Sequence, residues 1–148
     1  SIVVEGIGDH GLEYMTGGKV VILGDVGQNF GAGMSGGIAY VLPTNIEEFK
    51  FQCNTEMIEF EPLQNKQEVS EVRNLIIKHL EETDSTLALN VLAKWEEMIP
   101  RFVKVVPTDY KVMLQKIEAF KEEGFKTEEA TLKAFTAVTT KSKVVVAK

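Results

Sequence analysis

Two different hydrophobic rhythms run along the chain. Up to Leu42 the apolar residues come in short unbroken runs, Ile2 to Val4, Val20 to Leu23 and Ile38 to Leu42, each beside a glycine corner. Short runs bounded by glycine and rich in β-branched residues predict buried strands. Past Cys53 the spacing changes to steps of three and four. After an expected strand over Thr55 to Glu61, Val69, Val72, Ile76 and Leu80 mark one face of a helix over about 67–82. Asp84 or Ser85 then caps a helix with the stripe Ala88, Val91, Leu92, Trp95 and Ile99, closed by Pro100. Phe102 to Val106 reads as extended. A further helix, capped by Thr108 or Asp109, carries Tyr110, Met113, Leu114, Ile117 and Phe120 and stops at Gly124 as a left-handed cap. Thr127 opens a last short helix to about Val138, and residues 139–148 read as a loosely ordered tail around Val144-Val145-Val146. The expected division is 1–52 and 53–148, with the joint near Pro43-Thr44-Asn45.

The first segment repeats itself. Met15-Thr16-Gly17-Gly18-Lys19-Val20-Val21-Ile22-Leu23 aligns with Met34-Ser35-Gly36-Gly37-Ile38-Ala39-Tyr40-Val41-Leu42 at a register of 19 residues. A fainter echo sets Gly8-Asp9-His10-Gly11 against Gly24-Asp25-Val26-Gly27, 16 residues on. Short strands, tight corners and a fixed period describe a solenoid, whose rungs must stack to bury their apolar faces. Corners need positive φ or close backbone approach, which glycine supplies. The candidate structural glycines are Gly8, Gly11, Gly17, Gly18, Gly24, Gly27, Gly36 and Gly37. A leucine-rich repeat lacks support because its leucine–asparagine ladder is missing; a hairpin-rich sandwich with chance similarity is the competing reading. The expected fold is mainly β with α: the end of a parallel β-helix followed by a helical extension. The chain is in a strand by Ile2 and does not start with methionine, so it is expected to be cut from a longer one. Its uncovered first rung predicts self-association through that end, as a two-fold dimer.

Charge and composition narrow the chemistry. Of 12 glycines, 11 lie in the first 37 residues, whereas only Lys19 and Lys50 of the 16 cationic residues precede Cys53, which sharpens the expected division. A net charge of −6 argues against nucleic-acid binding. No apolar run reaches the ~18 residues of a membrane span, and no basic-then-apolar leader is visible, so a cytoplasmic location is expected. The single Cys53 excludes an internal disulfide, a four-thiolate zinc site and a cluster held by several thiolates of this chain.

Each tempting motif has a structural counterpart. Gly6-Ile7-Gly8-Asp9-His10-Gly11 matches G-x-G-x-x-G, with Asp25 near the ribose-binding position. Yet Leu12 to Thr16 leaves barely one turn for the helix a pyrophosphate needs, Asp9 puts a negative charge in the loop, and the glycines recur further on. His10 with Asp9, Asp25 and Glu13 can be drawn as an acid–base or metal cluster, but Asp and His also suit turns with positive φ. His79 suits the C-terminal end of its helix as a cation. Cys53 reads as a small buried apolar residue, and Met15 and Met34 as stacked core. Trp95 falls on a helical stripe, and Lys141, Lys143 and Lys148 form a solvated basic end. No catalytic, cofactor-binding or metal-ligating residue is assigned.

The residues do carry a resemblance. Val4-Glu5-Gly6-Ile7-Gly8-Asp9-His10-Gly11, Glu13-Tyr14-Met15-Thr16-Gly17-Gly18 and Asn29-Phe30-Gly31-Ala32-Gly33-Met34-Ser35-Gly36-Gly37-Ile38-Ala39-Tyr40-Val41 resemble the end of the glycine-repeat (GXGXG) domain of glutamate synthase large subunits. The likeness continues through Cys53-Asn54-Thr55-Glu56-Met57, Glu61-Pro62-Leu63, Ala88 to Trp95, Phe102-Val103-Lys104-Val105, Pro107 and Asp109-Tyr110-Lys111, and stops near residue 114. It implies a right-handed β-helix and a helical extension within an enzyme that makes glutamate from glutamine and 2-oxoglutarate. The amidotransferase cysteine, the FMN and the iron–sulfur cluster are expected elsewhere in the parent enzyme, and no cofactor in this chain. Ser1 is no N-terminal cysteine nucleophile, so only the structural glycines carry over. The implied partners are the other domains of the large subunit and a small NAD(P)H-oxidising subunit, in the cytoplasm or, in a eukaryote, a plastid. Glycine-repeat domains also resemble a subunit of formylmethanofuran dehydrogenase, so a free-standing interaction module is the alternative.

Overall fold

The computed structural model describes residues 1–124 and 126–146, with side chains as far as residue 137. The chain forms two compact units, Ser1–Pro107 and Thr108–Lys148. The division expected at 52/53 on composition is therefore not the spatial one. Strands past residue 53 complete the sheet begun by the glycine-rich segment, so both composition zones share one unit.

The first unit contains β1 (Ile2–Val4), β2 (Thr16–Ile22), β3 (Gly36–Val41), α1 (Ile46–Gln52), β4 (Ile58–Pro62), α2 (Lys66–Thr83), α3 (Thr86–Ala93), α4 (Trp95–Met98), a 3₁₀ turn (Ile99–Arg101) and β5 (Val103–Pro107). The five strands make one sheet in the order β1-β2-β3-β5-β4. β1, β2 and β3 are parallel, and β5 runs antiparallel to both β3 and β4. The architecture is mixed α/β rather than mainly β, since more residues are helical than extended.

The 19-residue register of the sequence repeat is the register of β2 on β3, whereas β1 pairs with β2 at 18, Ile2 opposite Val20. Lys19 pairs with Ile38 and Ile22 with Val41, while Thr16 pairs with Gly36 across a local shift. The loops between strands stack as well. Ile7 N donates to Asp25 O at 3.1 Å, His10 N to Gln28 O at 2.8 Å, Gly31 N to Gly11 O at 2.9 Å and Tyr14 N to Ala32 O at 2.9 Å. Stacked backbones must share a conformation, and they do. His10, Leu12, Tyr14 and Gly18 have φ of 60°, 56°, 59° and 84°, and the residues 19 further on, Asn29, Gly31, Gly33 and Gly37, have 58°, 77°, 66° and 83°. Leu12 and Tyr14 thus hold a left-handed backbone that costs an L-residue ~1–2 kcal/mol. The 16-residue echo is not a structural equivalence, because the left-handed residue that matches His10 is Asn29, whose neighbour Gln28 accepts the His10 N–H, and not Val26.

Alternation along the strands sorts the core. Val20, Ile22, Ala39, Val41, Val103 and Val105 turn one sheet face toward Val26, Phe30 and Met34 of the second loop, Phe49 of α1 and Ile58 of β4. Ile7, Leu12 and Met15 of the first loop pack against the same cluster but are only partly buried. α1 takes the place of a third loop. Asn45 caps it by accepting from Glu48 N, and Phe49 meets Phe30 and Phe60 edge-on at 5.6 and 6.0 Å. The opposite sheet face lies beneath α2, whose Val72 and Ile76 are fully buried. The helix expected to run from Ala88 to Ile99 breaks at Lys94, whose φ of −115° and ψ of 32° end α3. Pro100 explains the later 3₁₀ turn, and nothing in the sequence explains the break.

The second unit is a hairpin of α5 (Thr108–Glu122) and α6 (Thr127–Val146), turning at Gly124 with φ 97°. Ala130 and Ala134 are buried, whereas Leu132 and Phe135 are exposed. With no glycine or proline after Gly124, α6 continues past the expected end at Val138. The side chains of the basic tail, Lys141, Lys143 and Lys148, lie outside the described residues, as does the backbone of Ala147 and Lys148.

Close approach and open space distinguish the glycines. A Cβ on Gly36 would overlap the Thr16 carbonyl oxygen, whereas one on Gly17 meets nothing within 4 Å. Gly36→Ala should therefore lower stability by ~1–3 kcal/mol, as overpacking does, with Gly17→Ala within ~0.5 kcal/mol of the parent chain. Urea midpoints measure both; equal midpoints would show that the layers are free to part at Gly36.

Candidate functional site

Three groups of polar residues carry what chemistry the described residues hold. The first is the pair of loop aspartates. Asp9 Oδ1 accepts from Gln28 N at 2.8 Å, and Asp25 Oδ1 and Oδ2 accept from Thr44 N and Oγ1 at 2.8 and 2.9 Å. Each carboxylate thus reaches the residue 19 positions on and satisfies a turn in the next layer. That shared task is what the 16-residue echo contains. Among the described residues no group of His, Cys, Asp and Glu is arranged to hold a metal ion. His10 Nδ1 meets Glu13 Oε2 at 3.2 Å, an exposed pair that Asp9 and Asp25 do not join. After Gly6-Ile7-Gly8-Asp9-His10-Gly11 the chain turns into β2 with no intervening helix, so the helix a dinucleotide loop would open is missing between β1 and β2.

The second group is a row across the sheet beneath α2. Val21, Tyr40, Lys104 and Glu61 are successive partners on β2, β3, β5 and β4. Lys104 Nζ, 14% exposed, meets Glu68 Oε1 at 2.8 Å and Glu61 Oε2 at 3.5 Å. Tyr40 Oη donates to the other Glu68 oxygen at 2.9 Å. Burial, and next the hydrogen bond to Glu68, push the Tyr40 phenol well above its ordinary range. Lys19 Nζ, at the rim, pairs with Glu71 Oε2 at 2.5 Å. Two lysines face three glutamates, and the phenol serves Glu68 as a neutral donor, so the row ties helix to sheet.

The third group joins β1 to the helices. Glu5 accepts from Ser85 Oγ, and its Oε1 lies 3.4 Å from His79 Nε2. Ser85 also caps α3 by accepting from Ala88 N at 3.1 Å. The Ser85 hydrogen bond and then that of His79 hold the Glu5 carboxyl below its ordinary range. A serine, a histidine and a carboxylate meet here, but serine and histidine both face the carboxylate. A nucleophile requires the base against the serine hydroxyl. Cys53 is half-buried rather than fully buried, and desolvation pushes its thiol up to about 12, leaving it protonated at neutral pH. Met34 is fully buried and Met15 partly so, in the same core.

The sequence reading missed the second and third groups. The pairs bonded across them lie 28 to 80 residues apart, and each residue is an ordinary surface type alone. The one available signal was Tyr40 and Lys104 within otherwise apolar strands.

The arrangement is a stack of loops whose left-handed residues recur 19 positions apart, with alternation at 29, 31 and 33. The GXGXG motif family matches residues 1–108. The chain belongs to that family. The glutamate synthase [NADPH] large chain of Bacillus subtilis is 52% identical over 94% of this chain and 9% of its own length. The glutamate synthase [NADH] of Schizosaccharomyces pombe is 49% identical over 82% of this chain and 6% of its own length. The ferredoxin-dependent glutamate synthase of Pyropia yezoensis is 45% identical over 71% of this chain and 7% of its own. The chain thus spans less than a tenth of the curated relatives it matches. Among the described residues no helix is long and apolar enough to cross a membrane.

Two consequences are measurable. Lys104→Ala removes the ammonium that Glu68 and Glu61 share beneath α2 and should cost ~1–3 kcal/mol, against ~0.5 kcal/mol or less for Lys78→Ala in the exposed pair with Glu82. Denaturant unfolding of both variants decides whether the row bears stability. For the third group, a carboxyl whose folded pKa is lowered adds stability above its unfolded value that is lost as pH falls. Ser85→Ala should cost ~1 kcal/mol through the cap alone. Its total deficit should be larger at pH 7 and shrink toward that residue as the pH drops below the ordinary carboxyl value of 4.5. A deficit independent of pH would separate Ser85 from Glu5.

Proposed function

We propose that the chain is a structural portion of a glutamate synthase large subunit and is catalytically silent by itself. The observation that carries this reading is the pairing of high identity along the chain with a span of only 9% of the Bacillus relative. The polar groups support it, since each is consumed in tying one layer or helix to the next. In this reading β1, β2 and β3 with their loops are the end of a right-handed parallel β-helix. The parallel ladder and the matched loop dihedrals support that geometry. In the same reading FMN, the iron–sulfur cluster and the amidotransferase nucleophile belong to other parts of the large subunit, whose domains this segment braces, and the enzyme works in the cytoplasm or, in a eukaryote, a plastid. The open first layer, with Ile2 60% exposed, is the surface on which the isolated chain self-associates.

Titration calorimetry with NADH and with FMN tests silence: no binding tighter than ~1 mM is expected. A micromolar complex weakened by Asp25→Ala would reinstate a dinucleotide site. Within the large subunit, Gly36→Ala should lower the thermal midpoint while the specific activity of the folded enzyme is retained. A folded variant with specific activity reduced tenfold or more, on the order of 1.4 kcal/mol in barrier, would give this segment a part in catalysis.

A further inference from the structure

A cleft of about 470 Å³ opens where β2 and β3 end against α3 and α4. Leu23, Leu42, Pro43 and Val91 form its buried floor, and Leu87, 37% exposed, offers apolar surface at the rim. Its charged lining is of one sign, Lys94 and Arg101 beside the amide of Asn90, with no carboxylate. That composition runs against a chain of 22 acidic and 16 basic residues. Asp25, bound to the rim residue Thr44, already accepts from that residue's N–H and hydroxyl. Among the described residues neither Lys94 nor Arg101 is in an ion pair. The acceptor that the Arg101 guanidinium does have is Met98 Sδ at 3.9 Å, and a thioether is a weak acceptor.

We propose that this cleft is a docking groove for a segment of another polypeptide that presents an apolar side chain flanked by carboxylates. The apolar wall of Leu87, Ala93 and Met98 accommodates an aliphatic side chain, and the two cations on the rim complement acidic neighbours. A small dicarboxylate is the poorer fit. It would leave the apolar wall unused, and Lys94 and Arg101 are exposed rather than enclosed around a ligand-sized cavity. The inference concerns this chain's own surface and goes beyond its place in a large subunit.

The test is an NMR titration of the ¹⁵N-labelled chain with acetyl-Glu-Leu-Glu-Leu-amide, with the corresponding Lys-Leu peptide, and with glutarate. The acidic peptide should move the amide resonances of Leu23, Leu42, Asn90 and Lys94 with a Kd at or below ~1 mM, and the basic peptide should leave them in place. Lys94→Glu with Arg101→Glu should weaken the acidic peptide at least about tenfold at an unchanged thermal midpoint. Resonances of the parent chain that stay still at ~5 mM acidic peptide, about fivefold over that Kd, overturn the proposal whether or not the double variant folds. Equal movement with the basic peptide also overturns it, because the groove would then not read charge. Glutarate producing the same shifts at equal affinity would make it a small-anion site instead.

Discussion

Everything in the first unit follows from one requirement: a loop laid on another loop by backbone hydrogen bonds must copy its dihedral angles. The donors of one layer face the acceptors of the next only if both chains turn in the same places. Where the second loop uses asparagine and glycine for its left-handed residues, the first uses histidine, leucine and tyrosine. The backbone conformation is therefore imposed by the stack. Leu12 and Tyr14 accept strain of ~1–2 kcal/mol each because refusing it would break the interlayer bonds around Gly11 and Ala32. The same closeness leaves no room for a Cβ at Gly36.

The third layer resolves the stack differently. A helix replaces the loop, and its Phe49 fills the space beside Phe30. Phe30 N still donates to Gln52 O, and Asn54 N to Phe30 O, so the helix end presents an edge the second loop can use. At the sheet, β5 pairs with β3 antiparallel and ends the parallel ladder at the same level. With that face closed, the polar row of Tyr40, Lys104, Glu61 and Glu68 fixes α2 across three strands. The ionisable groups of this row are thus committed to holding strands and helix together.

How much of this was legible in the sequence follows from how local each signal is. The alignment of Met15 to Leu23 with Met34 to Leu42 contained the sheet register because both copies conserve the strand and its glycines. The loop equivalence was hidden, because His10 to Tyr14 and Asn29 to Gly33 share a conformation and no residue type. The 16-residue echo caught two aspartates with the same task but misplaced their loops. Composition misplaced the boundary because sheet membership is non-local: β4 and β5 belong to the glycine-rich strands although their neighbours in sequence are helices. The Glu5–His79–Ser85 group and the Lys104 row join residues tens of positions apart, and no periodicity carries such a pairing.

The replacement of the third loop by α1 gives the stack a direction. Units of 19 residues can be added ahead of β1 without disturbing anything downstream, since each needs only a neighbour that repeats its dihedrals. None can be added beyond α1, where neither loop nor parallel strand offers a template. The stack can therefore lengthen on one side only, in increments of one interstrand spacing, ~4.8 Å. Such a segment acts as a ruler with a fixed zero, its helical end setting the origin from which the distance to whatever stands at the other end is counted.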